Sequence, residues 1–120
     1  MGNVDAGVSL RYHRVGEWPP LAWLVRLDRG GSGPVDAYVG MRVETRADWF
    51  CEAAWAGAFD DGGFDRTDIV VGSGVRVRGR RLTLVSSGST VDRLNHFDSG
   101  DALWVSNSML CLAALFDLQV

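Results

Sequence analysis

The sequence predicts an α+β domain dominated by antiparallel sheet. Six to eight short strands, in one sheet or two stacked ones, are followed by an apolar C-terminal helix. Three observations predict it. Period-two alternation recurs in short runs, most cleanly over Val35–Glu44 and Val75–Leu84, and that period sends alternate side chains to opposite faces of a strand. Gly supplies 15 of the 120 residues, about twice its usual share of roughly 7%, which favours turns over long helices. One stretch, Met109–Phe116, reads as a helix that is apolar on nearly every side. Such a helix needs cover from the rest of the chain or from outside it.

The elements follow in order. In Gly7–His13, Val8, Leu10 and Tyr12 share one face and Ser9, Arg11 and His13 the other, which is a half-buried strand. Pro19-Pro20 prevents regular structure in the Arg14–Pro20 loop. Leu21–Leu27 is a nearly continuous apolar run of strand length. Asp28–Pro34 holds three glycines and a proline, so Leu21–Leu27 and Val35–Glu44 form a hairpin across it. Thr45–Phe59 carries two signals. Thr45 or Asp48 could cap a helix, and alanine favours one. Yet Trp49, Cys51, Ala53 and Trp55 alternate with Phe50, Glu52, Ala54 and Ala56, and aromatic residues favour strands; we read Trp49–Ala56 as strand. Asp60–Asp65 is a turn. A strand starts at Asp68–Val71 and bends at Gly72-Ser73-Gly74. Val75 and Val77 then face inward and Arg76 and Arg78 outward, Gly79-Arg80 turns the chain, and Leu82 and Leu84 return inward. Ser86–Thr90 is a polar turn, Val91–Phe97 a short strand and Asp98–Asp101 a turn. Ala102–Val105 is a buried strand, Ser106-Asn107-Ser108 a polar corner, and the helix follows.

A single domain of this length can bury one core without metals or disulfides. The net charge of −3 excludes a general nucleic-acid footprint. All twelve basic residues are Arg, as GC-rich coding explains, so lysine chemistry is excluded. Cys51 and Cys111 lie in apolar segments and read as reduced, buried small hydrophobes. Met1–Asp5 lacks the basic start and apolar core of a secretory signal, and no apolar run is long enough to span a bilayer. The expectation is a cytoplasmic protein with no cofactor, no metal, and neither nucleic acid nor membrane as partner.

Few residues suggest chemistry. Arg76, Arg78 and Arg81, with Arg80, form a basic hairpin face. It could bind a phosphate or carboxylate, because guanidinium forks match both. The same arginines could pair with Asp60, Asp61, Asp65 and Asp68, or keep an edge strand soluble. Those aspartates lack the spacing of a calcium loop. His13 and His96 cannot be joined to a serine or cysteine by any nucleophile motif, so no catalytic residue is assigned. Met109, Leu112, Leu115 and Phe116 are candidates for an interface with a downstream domain, another subunit or a second copy.

Gly88–Ala113, GSTVDRLNHFDSGDALWVSNSMLCLA, resembles the late part of the glutamine amidotransferase domain of asparagine synthetases, a class II, Ntn-hydrolase-like domain. The family runs from a glycine turn into a Pro-Leu-Tyr strand. An acidic, glycine-bearing turn, an apolar strand ending in Ala-Ser-Glu and a leucine-rich helix follow. Gly88 stands at the first turn, Leu94 and Phe97 on the strand, and Asp98-Ser99-Gly100-Asp101 at the second turn. Leu103–Asn107 takes the place of the Ala-Ser-Glu strand end, and Leu110 and Leu112 lie on the helix. The family's nucleophile is a cysteine at the mature N-terminus; this chain starts Met1-Gly2-Asn3. The Arg-Asp before the glycine turn is missing and Asn107 replaces the Glu.

The resemblance therefore implies an amidotransferase-like domain without the chemistry. It would pack against or support an ATP-dependent, asparagine-synthetase-like domain lying beyond Val120. Two other expectations stand beside it. One is a β-rich module binding a small or anionic ligand. The other is a small homo-oligomeric structural protein that buries Met109–Phe116 between subunits.

Overall fold

The alternation of Val75, Val77, Leu82 and Leu84 builds the hairpin at the centre of one sheet. The structure, a computed structural model, describes residues 2–5, 9–30, 33–67, 69–86 and 94–116. Among the described residues ten strands form: β1 (Gly2–Asp5), β2 (Leu10–Arg14), β3 (Trp23–Asp28), β4 (Val35–Val39), β5 (Glu44–Thr45), β6 (Trp49–Trp55), β7 (Val70–Arg78), β8 (Arg81–Ser86), β9 (Asn95–Asp98) and β10 (Ala102–Ser106). One short helix, α1 (Met109–Phe116), follows. The strands make two five-stranded sheets, ordered β1-β8-β7-β6-β5 and β2-β4-β3-β10-β9.

The inward faces of both sheets share one core. Trp23, Val25, Leu27, Val35, Ala37, Val39 and Val105 come from the second sheet, and Phe50, Val75, Val77, Leu82 and Leu84 from the first. Phe50 stands edge-on to both Trp23 and Tyr12, at ring distances of 5.2 and 6.0 Å. The Tyr12 hydroxyl lies 2.6 Å from the Arg46 carbonyl oxygen and 2.9 Å from that of Trp49. It ties β2 to the β5–β6 turn, and burial raises its pKa.

The β3–β4 and β7–β8 hairpins and the β6 strand form where the alternation predicts them. Three expectations change. The second sheet is not wholly antiparallel, because β2 runs parallel to β4, Leu10 opposite Val35. β3 already has β4 and β10 at its two edges, and β2 joins the free edge of β4. The alternation of Val35–Glu44 does not continue as one strand: β4 ends at Val39. Gly40 there packs so closely on Pro19 and Pro20 that a Cβ would fall 2.4 Å from the Pro19 carbonyl oxygen. Third, Asp60–Asp65 is not a simple turn but two 3-10 turns, Phe59–Asp61 and Gly63–Arg66, joined at Gly62 with φ +58°. β7 continues as one strand through Gly72-Ser73-Gly74, where the sequence placed a bend, and Gly72 takes φ +106°. A Cβ on Gly72 would lie 2.1 Å from the Glu52 carbonyl oxygen, so only glycine fits.

Candidate functional site

The outward face of the first sheet holds the predicted arginines. Trp49, Cys51 and Trp55 of β6 and Val85 of β8 lie on it, and the two 3-10 turns cover it. Phe64 is its buried centre, 5.7 Å from the Trp49 ring and 5.2 Å from that of Trp55. Trp55 also stacks on Phe59 at 4.9 Å. Gly62 is needed for this cover: a Cβ there would meet the Trp49 indole at 2.3 Å.

Arg76 does not face solvent as the alternation implied. It is 8% exposed, because this face is roofed by the chain's own 59–66 segment. Its Nη1 lies 3.0 Å from the Asp48 carboxylate and donates to the carbonyls of Asp48 and Val77. Arg78 grips Asp65 with both arms, Nε at 2.8 Å and Nη2 at 2.9 Å. Burial alone would raise the Asp65 pKa, but the Arg78 fork outweighs it and the net shift is downward. Arg46 reaches Asp60 and lies over the rings of Trp49 and Phe59. Arg81 is exposed beside the turn, opposite Arg78 on one side and Asp5 on the other. The structure thus brings Arg76 and Arg78 together with acidic partners already in place. An incoming anion would compete with Asp48 and Asp65 for the same guanidinium protons.

Of the predicted interface residues, Met109 is 45% exposed and Leu112 is 1% exposed. The side chains of Leu115 and Phe116 lie outside the described residues, as do Asp68 and Gly88. The helix lies against β9 and β10. Its entry is fixed by the polar corner. The Ser106 hydroxyl donates to the Trp23 carbonyl at 2.5 Å. Asn107 accepts from the Trp23 amide at 2.7 Å and donates to the Leu21 carbonyl at 2.9 Å. The Ser108 hydroxyl accepts from the Cys111 amide at 3.3 Å.

Leu21, held by that corner, lines an open cleft of about 420 Å³ with Arg42, Glu44, Glu52, Ala54 and Val71, and with Cys51, Ala53 and Gly72. Glu52, Ala54 and Val71 belong to the inward face of the first sheet, past the end of the shared core. Val71 is accordingly 68% exposed. A chain of hydrogen bonds runs from the core to the cleft. The buried Trp23 indole donates to the Ser73 hydroxyl at 3.0 Å, and Ser73 donates to the Glu52 carboxylate. Alternation alone does not mark this cleft, which depends on where one sheet outruns the other. The one available clue was Glu52 and Ser73 at inward positions of apolar strands.

The remaining chemistry-bearing groups stand apart. His13 stacks on Tyr38 and lies 3.0 Å from Asp36 on the outward face of the second sheet. His96 is exposed on β9. Cys51 and Cys111 are free and buried, and burial pushes the Cys51 thiol up to about 11. Among the described residues, no three His, Cys, Asp or Glu side chains gather as metal ligands, and no helix is long and apolar enough to cross a membrane.

Fold and site together define a sheet-dominated domain of two antiparallel-rich sheets, with an ion-paired outward face and an open cleft at the end of its core. Compared with family models, curated proteins and solved structures, the chain finds no match.

Proposed function

We propose that the chain is a non-catalytic, amidotransferase-like domain, cytoplasmic, that packs against or supports an ATP-dependent, asparagine-synthetase-like partner domain. The observation that carries this reading is the pattern of Gly88–Ala113. Its described part runs β9, a turn with Gly100 at φ +97°, β10 ending at Ser106, and α1, the order the resemblance implies. The state of the cysteines supports the absence of chemistry. A nucleophilic thiol is exposed and has a lowered pKa, whereas Cys51 is buried in mid-strand with its pKa raised.

Ammonia release from glutamine tests the reading. No turnover is expected above the uncatalysed rate, with or without Cys51→Ala or Cys111→Ala. Glutamine hydrolysis lost in either variant would overturn it. Sedimentation with a separately produced ATP-dependent synthetase-like domain tests the partner, and a complex is expected. The cleft favours a second reading, a β-rich module that binds a ligand.

A further inference from the structure

On the inward face of the first sheet, Glu52 of β6 stands opposite Ser73 of β7. Two residues further along β6 on the same face, Ala54 stands opposite Val71. The first pair is polar and is held from the core. The buried Trp23 indole donates to the Ser73 hydroxyl at 3.0 Å, and that hydroxyl donates to the Glu52 carboxylate. A carboxylate accepts along about four lone-pair directions, so one hydroxyl orients it without filling it. The second pair is apolar and open to solvent. Ala54 is exposed, Val71 is 68% exposed, and Leu21, which lines the same cleft, is 49% exposed. Two residues of strand span about 7 Å. An oriented anionic group and an apolar strip thus lie side by side in one cleft.

Two other charged residues line it. Glu44 lies on the outward face, opposite Cys51, and pairs with Arg46 at 3.4 Å. Arg42 is exposed, and among the described residues no ion pair holds its side chain. A group already in place costs less to engage than one that must be ordered on binding, so Glu52 and not Arg42 selects the ligand.

We propose that the cleft binds a small aliphatic amine. Its ammonium group sits on Glu52 and its alkyl chain lies over Ala54, Val71 and Leu21. The charge-assisted hydrogen bond gives orientation, and covering the exposed side chains gives affinity. The cleft volume of about 420 Å³ lies in the range of small-ligand sites, roughly 300–1,000 Å³. This ligand class rests on the second reading above, a module that binds a ligand, and is independent of the amidotransferase reading.

Titration of the full chain with n-hexylamine, followed by the N–H proton signal of the Trp23 indole, is the test; Trp23→Phe identifies the signal. A saturable shift is expected, because Glu52 is joined to the indole through Ser73. n-Hexanol and n-hexanoate should bind at least about tenfold more weakly. Each methylene added between n-butylamine and n-hexylamine should tighten binding by about two- to fourfold. Glu52→Gln, which keeps an acceptor for Ser73, should weaken amine binding by about tenfold or more with an unchanged circular dichroism spectrum. Arg42→Gln should tighten it by removing a like charge. The proposal is overturned if Glu52→Gln binds the amine as well as the parent, if Arg42→Gln weakens binding, or if chain length makes no difference. Saturable binding of n-hexanoate in place of the amine overturns the amine assignment and leaves the ligand-binding reading standing. No saturable shift with any of these probes overturns the proposal and removes the cleft from that reading as well.

Discussion

Replacing Ser73 by Ala tests whether the chain of hydrogen bonds between core and cleft holds the two sheets together. The Trp23 indole is fully buried and its N–H donates to the Ser73 hydroxyl at 3.0 Å. Removing that acceptor strands a buried donor, which costs about 1–3 kcal/mol. Glu52 also loses a donor, but it lines the cleft, where water can replace it. We therefore expect Ser73→Ala to cost about 2 kcal/mol. With a urea m-value of roughly 2 kcal/mol/M for a domain of this size, the unfolding midpoint falls by about 1 M. Trp23→Phe keeps an aromatic ring near Phe50 and loses volume and the N–H, at a cost of about 1–3 kcal/mol. In that background no donor is left to strand, so Ser73→Ala should cost under about 1 kcal/mol. The coupling is then about 1–2 kcal/mol, read from urea unfolding of the four proteins by fluorescence and circular dichroism. Additivity within about 0.3 kcal/mol would refute the reasoning.

Three other outcomes are expected. Asp36 accepts from Arg11 at 2.6 Å, and this bond, against the opposing effect of burial and with help from His13, holds its pKa at about 2. A lowered folded-state pKa means that the unfolded chain binds more protons. The stabilisation is therefore present above about pH 4 and is lost as the pH falls towards 2. Arg11 is largely exposed, so solvent screens the pair and the increment is small. Urea midpoints at pH 5 and pH 2.5 should show this increment in the parent and not in Asp36→Asn. Cys51 should resist iodoacetamide at pH 8 in the folded protein and react in urea, since burial both shields the thiol and raises its pKa to about 11; mass spectrometry of the labelled chain checks this. Gly62→Ala should destabilise by about 2–4 kcal/mol, combining the cost of φ +58° with the clash against Trp49, and thermal unfolding reads the loss.

Much of the strand pattern was legible because one face of each strand meets a core. Val75, Val77, Leu82 and Leu84 alternate because they do so in space, and the β7–β8 hairpin followed from them. Trp49–Trp55 reads as strand for the same reason, although both faces are covered over Trp49–Cys51. What alternation could not supply was the point at which a strand stops. Met41 and Val43 keep the period of β4, yet Gly40 turns the chain onto Pro19 and Pro20. The parallel β2–β4 pair was equally hidden. Alternation fixes which face a residue takes, and says nothing of which edge its strand will join.

The two faces of the first sheet explain why the arginines were legible and the cleft was not. Charges at Arg76 and Arg78 are visible in any reading, but their meaning depends on the cover. The Asp48 and Asp65 carboxylates and the aromatic roof of Phe59 and Phe64 occupy that face with groups from the chain itself. The inward face runs the other way. Ala54 and Val71 look like ordinary core positions, yet the second sheet ends before reaching them. The turn that ends β4 at Gly40 also gives the Arg42 amide to the Pro20 carbonyl, and Arg42 and Leu21 both line the cleft. A chain that roofs its outward face with its own 59–66 segment meets Arg76 and Arg78 with its own carboxylates, and the apolar surface it leaves uncovered is that of Ala54 and Val71 at the cleft.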